Sequence, residues 1–166
     1  MKIDTPAPNF FTSVKLENSL DPTPLKQLRA WFDDCNSGHE KCSALQKDVV
    51  LPTRVLDLGA MPETNVLNDR MHEWQDLFLQ SECKLVETTT GQLGKYATLS
   101  YCWGTGLPFM TTKETLSTRK TGIGFQSLPK TLQDAAMVAR YLGLQYIWID
   151  CLAIGMDLNL RFWCIY

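Results

Sequence analysis

At 166 residues the chain has the length of one domain, enough to bury a sizeable core. A hydrophobic share of 45% against 20% charged residues excludes both a disordered segment and a membrane protein. The formal net charge of −2, with Lys and Arg scattered, leaves no clustered basic face for a phosphate backbone, so nucleic acid is not an expected partner.

The opening Met1-Lys2-Ile3-Asp4-Thr5-Pro6 lacks the apolar run of a signal peptide. No window reaches the ~18–20 uninterrupted apolar residues of a membrane span. The six cysteines are spread out rather than grouped into a dense framework, which predicts reduced thiols and a cytoplasmic location.

Residues 1–50 read as a leader followed by a helical segment, and residues 51–166 as an α/β core. Pro6 and Pro8 discourage a helix in the leader. Thr23-Pro24 has the form of an N-cap and first helical residue. Leu25, Leu28, Phe32 and Cys35 then mark one helical stripe that Asn36-Ser37-Gly38 ends. A strand is predicted over Arg54–Leu58, where apolar and polar residues alternate up to Gly59. Trp74, Leu77 and Phe78 suit a short helical turn. Lys84–Thr88 reads as a strand and Thr89–Gly94 as a turn, which together predict a hairpin into the next strand. That strand, Tyr96–Trp103, is rich in β-formers and stops at Gly104-Thr105-Gly106. Thr111–Gly124 reads only as a polar stretch.

The clearest unit follows. Ser127–Pro129 opens a helix with Leu128, Leu132, Ala135, Ala139 and Leu142 on one face, and Gly143 sits where a left-handed cap is wanted. Leu144–Asp150 is nearly all apolar, as in a strand buried on both faces. Helix, glycine and buried strand form the second half of a βαβ unit. The fold class expected is therefore α/β: a mainly parallel sheet flanked by helices, with Tyr96–Trp103 and Leu144–Asp150 among its central strands and a right-handed crossover between them.

Ligands of parallel sheets sit beyond the carboxyl ends of the strands. Two strands here end in Cys102-Trp103-Gly104 and in Asp150-Cys151. The Asp150 carboxylate there must stay solvated or meet a donor, because burying it unpaired is costly. It could hold a ligand hydroxyl, a loop N–H or an arginine, or cap the helix that follows. Trp103 could stack on a flat ring, although burial in the core is the favoured reading. The Gly104-Thr105-Gly106 and Gly122-Ile123-Gly124 pairs lack a full phosphate-loop pattern and read as turns. Ser100 and the two histidines show no spacing of a nucleophile and its base. Cys35, His39 and Cys42 carry zinc-ligand side chains at Cys-x3-His-x2-Cys spacing. A structural zinc site needs a fourth ligand, for which His72 or Cys83 would serve. Packed thiols and a helix-end histidine are favoured over a metal, so no metal is expected.

Several of these blocks, in this order, resemble one family. Tyr96-Ala-Thr-Leu-Ser-Tyr-Cys-Trp-Gly104 is similar to the signature of fungal heterokaryon-incompatibility (HET) domains. Leu128-Pro-Lys-Thr-Leu-Gln-Asp-Ala135 and Leu142-Gly-Leu-Gln-Tyr-Ile-Trp-Ile-Asp150 resemble that family's next two blocks, and Thr111-Thr112-Lys113 with Leu116 the stretch between. Leu51–Gly59, Lys84–Thr88 and the Trp31, Cys35, His39, Cys42 segment resemble its upstream part. After Asp150 the likeness weakens: Ala153 stands where the family has cysteine and Met156 where it has glutamine. The segment from Leu158 to Tyr166 resembles nothing in the family, so the chain is expected to be a partial HET domain, cut short at its C-terminus.

The resemblance implies a role in fungal non-self recognition and programmed cell death, exerted through protein partners or self-association. It also implies a distant likeness to TIR domains, which have a flavodoxin-like sheet and some of which cleave NAD. On that likeness NAD is the possible cofactor, lying against Trp103, Gly104 and Asp150. The acid such chemistry needs would lie beyond Asp157, so this chain is not expected to be an active enzyme.

Overall fold

The computed structural model describes residues 22–39, 42, 47–59, 76, 80–102 and 109–154. The first helix, α1 (Pro22–Gly38), begins slightly ahead of the expected cap and ends at the expected glycine. Leu25 is buried, and Leu28, Phe32 and Cys35 of its stripe are half-buried. From this helix the Arg29 guanidinium donates to the Tyr141 carbonyl at 3.1 Å. Tyr141 ends a second helix, and a cation there meets the negative end of the helix dipole.

Among the described residues, seven short strands follow in chain order: β1 (Val49–Val50), β2 (Arg54–Asp57), β3 (Glu82–Glu87), β4 (Leu93–Gly94), β5 (Tyr96–Leu99), β6 (Ile123–Gly124) and β7 (Tyr146–Ile149). Between β5 and β7 come α2 (Lys113–Thr121), a 3-10 turn (Phe125–Ser127) and α3 (Lys130–Tyr141), and α4 (Asp150–Ala153) follows β7. Five strands make one sheet in the order β5-β7-β2-β3-β6, and β1 pairs separately with β4. The helical turn expected around Trp74, Leu77 and Phe78 lies outside the described residues.

The sheet is mixed, not mainly parallel. Among the described residues only β5 and β7 run parallel, in register Tyr96↔Tyr146 to Leu99↔Ile149. The pairs β2–β7, β2–β3 and β3–β6 are antiparallel. The α3-glycine-β7 unit fixes how β7 lies beside β5, but it says nothing of β2 and β3, which enter from earlier in the chain in the opposite sense. Among the described residues β5 is consequently an edge strand rather than a central one. The expected hairpin from β3 is corrected too. Its turn exists, with Gln92 N–H donating to Thr89 O at 3.0 Å and Gly91 at φ +78°. Beyond it, however, β4 pairs with β1, and β5 crosses to the opposite edge of the sheet.

Burial follows from this order. β2 is third of the five strands, and its neighbouring Val55 and Leu56 are both buried, so both faces of the sheet are covered there. In β7 only Ile147 and Ile149 are fully buried, while Tyr146 and Trp148 are half-buried. The strand is thus shorter than predicted and fully covered on one face only.

Helix α3 forms as its periodicity predicts. Leu132 and Ala139 of the predicted stripe are buried, joined by Ala136 and Met137. Gly143 adopts the left-handed conformation at φ +81°, letting Leu144 N–H reach Ala139 O at 2.9 Å and Gly143 N–H reach Arg140 O at 2.8 Å. These bonds satisfy carbonyls that a helix end leaves open. The polar stretch from Thr111 hides α2. Thr112 caps it, its hydroxyl accepting from Thr115 N–H at 3.3 Å, while the Thr115 hydroxyl accepts from Thr112 N–H at 2.9 Å. This is a capping box with threonine in the place usually held by an acidic or amide side chain.

Candidate functional site at the carboxyl ends of the parallel strands

The parallel pair β5–β7 directs its carboxyl ends at Tyr101-Cys102 on one side and Asp150-Cys151 on the other. Asp150 is half-buried and opens α4, its Oδ1 accepting from Cys151 N–H at 2.7 Å. That bond reaches only the next residue; the N-cap of α4 is Ile149, which makes no side-chain cap bond, so Asp150 does not cap the helix as expected. Trp103 and Gly104 lie outside the described residues, so how they stand to Asp150 does too.

Contacts among further side chains, which the sequence reading did not foresee, complete this corner. The Tyr101 hydroxyl lies 3.6 Å from Cys151 Sγ, and Cys151 itself is wholly buried. Thr111 N–H donates to the Cys151 carbonyl at 2.8 Å, which ties the segment leading into α2 onto α4. The Thr111 hydroxyl, also fully buried, accepts from Arg119 Nη1 at 3.0 Å. Arg119 lies with its guanidinium carbon 4.1 Å from the centre of the Phe109 ring, a cation–π contact.

The electrostatics keep the reactive groups of this corner neutral. Burial pushes the Cys151 thiol up, an effect that hydrogen bonding to Tyr101 only partly opposes. Burial also raises the Tyr101 phenol, followed by its bond to Cys151. A thiol held protonated is a poor nucleophile. The corner can therefore offer a phenol donor and a carboxylate acceptor to a polar ligand, while its buried Cys151 thiol is not an activated nucleophile. A cavity of about 300 Å³ opens beside α2, lined by Phe109, Thr115, Arg119 and Ile123 among others. Asp150 is not part of that lining.

The Thr111–Arg119 bond yields a test by ordering of effects. Thr111→Val removes the acceptor and leaves a buried cation short of a partner, an expected loss of about 1–3 kcal/mol. Arg119→Met removes the cation together with its desolvation cost, and is expected to lose less than Thr111→Val does. The double variant should then be no less stable than Thr111→Val alone. Urea unfolding of the four proteins checks this. A neutral Thr111→Val would mean that the hydroxyl does not hold Arg119.

The other candidates divide. The structure brings Cys35, His39 and Cys42 together, with ligand atoms that all lie within 4.8 Å of one another. The turn that closes the cluster has Cys42 N–H donating to His39 O at 2.9 Å. Hydrogen bonding to Cys42, before burial, raises the Cys35 thiol. Cys83 is no part of the cluster: it is buried in β3, and its Sγ donates to the Ile123 carbonyl at 3.5 Å. His72 lies outside the described residues. Gly122-Ile123-Gly124 is no phosphate loop, since Ile123 and Gly124 pair with β3. No helix among the described residues is long and apolar enough to cross a membrane.

The family model described as Heterokaryon incompatibility protein (HET) matches residues 96–159. That stretch starts at β5 and takes in α2, α3, β7 and α4, and so includes the whole corner around Tyr101 and Asp150. The upstream segments Trp31–Cys42, Leu51–Gly59 and Lys84–Thr88 lie outside the matched range. No curated protein and no solved structure matches the chain.

Proposed function

We propose that this chain, whose residues 96–159 match the HET family model, serves fungal non-self recognition and programmed cell death as a signalling module that works through protein contacts. The family match over the β5-to-α4 segment carries this reading. Two features of the fold support contact over catalysis. Of the two thiols at the strand ends, that of Cys151 is buried and held protonated. The β1–β4 ribbon leaves Val49, Val50 and Leu93 exposed, where apolar side chains are available to a second chain. The cytoplasm is the compartment in which such a module meets its partners.

The second reading is a TIR-like NAD-cleaving effector. It draws on the one parallel strand pair, whose carboxyl ends bring Asp150 and the Tyr101 phenol to the same edge, as a site for ribose hydroxyls would require. A TIR-like sheet would have to be parallel well beyond β5 and β7, and the antiparallel pairing of β2 and β3 weighs against it.

Inducible expression in a filamentous fungus, followed by a vital dye and by cellular NAD, tests both. Death with NAD unchanged is the expected result. Full viability with the protein accumulated would end the proposal, and a fall in NAD that precedes death would replace it with the enzymatic reading.

A further inference from the structure

We propose that Cys35, His39 and Cys42 bind a zinc ion, which clasps the C-terminal end of α1 to the segment leading into β1. Their three ligand atoms all lie within 4.8 Å of one another. A tetrahedral zinc with two sulfur ligands and one nitrogen, at about 2.3 and 2.0 Å, needs those atoms about 3.5–3.8 Å apart. An inward shift of about 1 Å or less completes the site, within reach of side-chain rotation alone.

The local chain explains why the three side chains converge. Cys35 is on the last turn of α1, and His39 follows directly on the end of that helix. Gly38 then ends the helix, and the turn closed by Cys42 N–H to His39 O folds Cys42 back over it. No core packing accounts for the arrangement. Cys35 and Cys42 are half-buried and His39 is exposed, so the cluster gains little from burial, whereas two thiols and an imidazole make a soft donor set suited to zinc rather than to magnesium or calcium. On binding, each thiol gives up its proton to become a thiolate ligand, and His39 binds as the neutral imidazole. The exposed side leaves the fourth position to water, since Cys83 is engaged with Ile123 O in the sheet.

The site has a structural consequence independent of the proposed cell-death role. Apart from its buried Leu25, α1 is held by bonds such as Arg29 to Tyr141 O. A clasp at Cys35 would fix the far end of the same helix.

The test uses the whole chain, purified without chelator or reductant. Metal analysis should give about one zinc per chain. Cobalt(II) in its place should show thiolate-to-cobalt charge transfer and the intense visible bands of a tetrahedral site. Alkylation read by mass spectrometry should find Cys35 and Cys42 protected until a chelator is added, while the exposed Cys102 reacts in either case. These readouts need no variant to fold. Cys35→Ser and His39→Ala should each lower the zinc content at least about tenfold, while Cys83→Ser keeps it. Substoichiometric zinc after growth in zinc-supplemented medium would overturn the proposal. So would a Cys35–Cys42 disulfide in the isolated chain, or equal alkylation of the two thiols with and without chelator.

Discussion

Replacing Phe125 with alanine is expected to destabilise the chain by about 3–5 kcal/mol, the range of a large buried aromatic truncated in a packed core. The ring is only 1% exposed. It belongs to the same apolar cluster as Leu85 of β3, Ile123 of β6 and Leu128. Its backbone is pinned as well, with Phe125 N–H donating to Ser81 O at 3.1 Å just ahead of β3. Phe125 thus anchors the segment that carries α2 and β6 onto the β3 edge of the sheet. A two-residue strand such as β6 cannot hold that edge through its few ladder bonds alone. The cavity left by the lost ring would open where α2, β6 and β3 meet. The measurement is the urea midpoint at constant m-value, with the exposed Gln126→Ala as a control expected to change stability by no more than about 0.5 kcal/mol. A loss under about 1 kcal/mol for Phe125→Ala would mean that this edge is not packed as described.

Some elements of this fold were legible in the sequence and others were not. Wherever one element supplies its own periodic signal, the prediction holds: the α1 stripe led by Leu25, the α3 stripe through Leu132 and Ala139, the left-handed Gly143, and strands at Arg54, Lys84, Tyr96 and Tyr146. Helix α2 escaped because it has almost no apolar face. Its buried side chain is Arg119, a residue that reads as solvent-facing, and its cap is formed by two threonines. Strand order escaped for a different reason. Periodicity says which face of a strand is covered, but not which strand lies beside it, and the antiparallel placement of β2 between β7 and β3 depends on pairings distant in the chain. The corner at Asp150 was half legible on the same grounds. An acid following a buried strand stands out in the sequence, whereas the Tyr101 contact to Cys151 joins residues 50 positions apart with no local signal at either end. The Cys35, His39, Cys42 spacing was visible, and what it lacked was the turn that closes it.

Alkaline pH is the second condition expected to have a large effect, and its sign follows from the buried acids. Burial pushes the Cys83 thiol up to about 11, with Arg140 only partly opposing it. In the unfolded chain the same thiol ionises near about 8.5. A group whose folded value is raised contributes its full stabilisation below the unfolded value and loses it as pH rises through the folded one, because the unfolded chain gives up the proton first. For Cys83 alone the loss between about pH 8.5 and 11 is on the order of 2–3 kcal/mol. Cys151 and Tyr101 are displaced in the same direction and for the same first cause, burial, so they add to the loss. The melting temperature should hold steady from neutral pH to about 8.5 and fall steeply above it, by a larger amount than any one of these groups could produce. The contribution of Cys83 can be isolated by slope. Cys83→Ala costs some stability at every pH through the atom it deletes, yet its decline above pH 8.5 should be shallower than that of the parent chain. Parallel declines in the two proteins would show that the Cys83 thiol ionises alike in the folded and unfolded chain, and that β3 does not seal it from water.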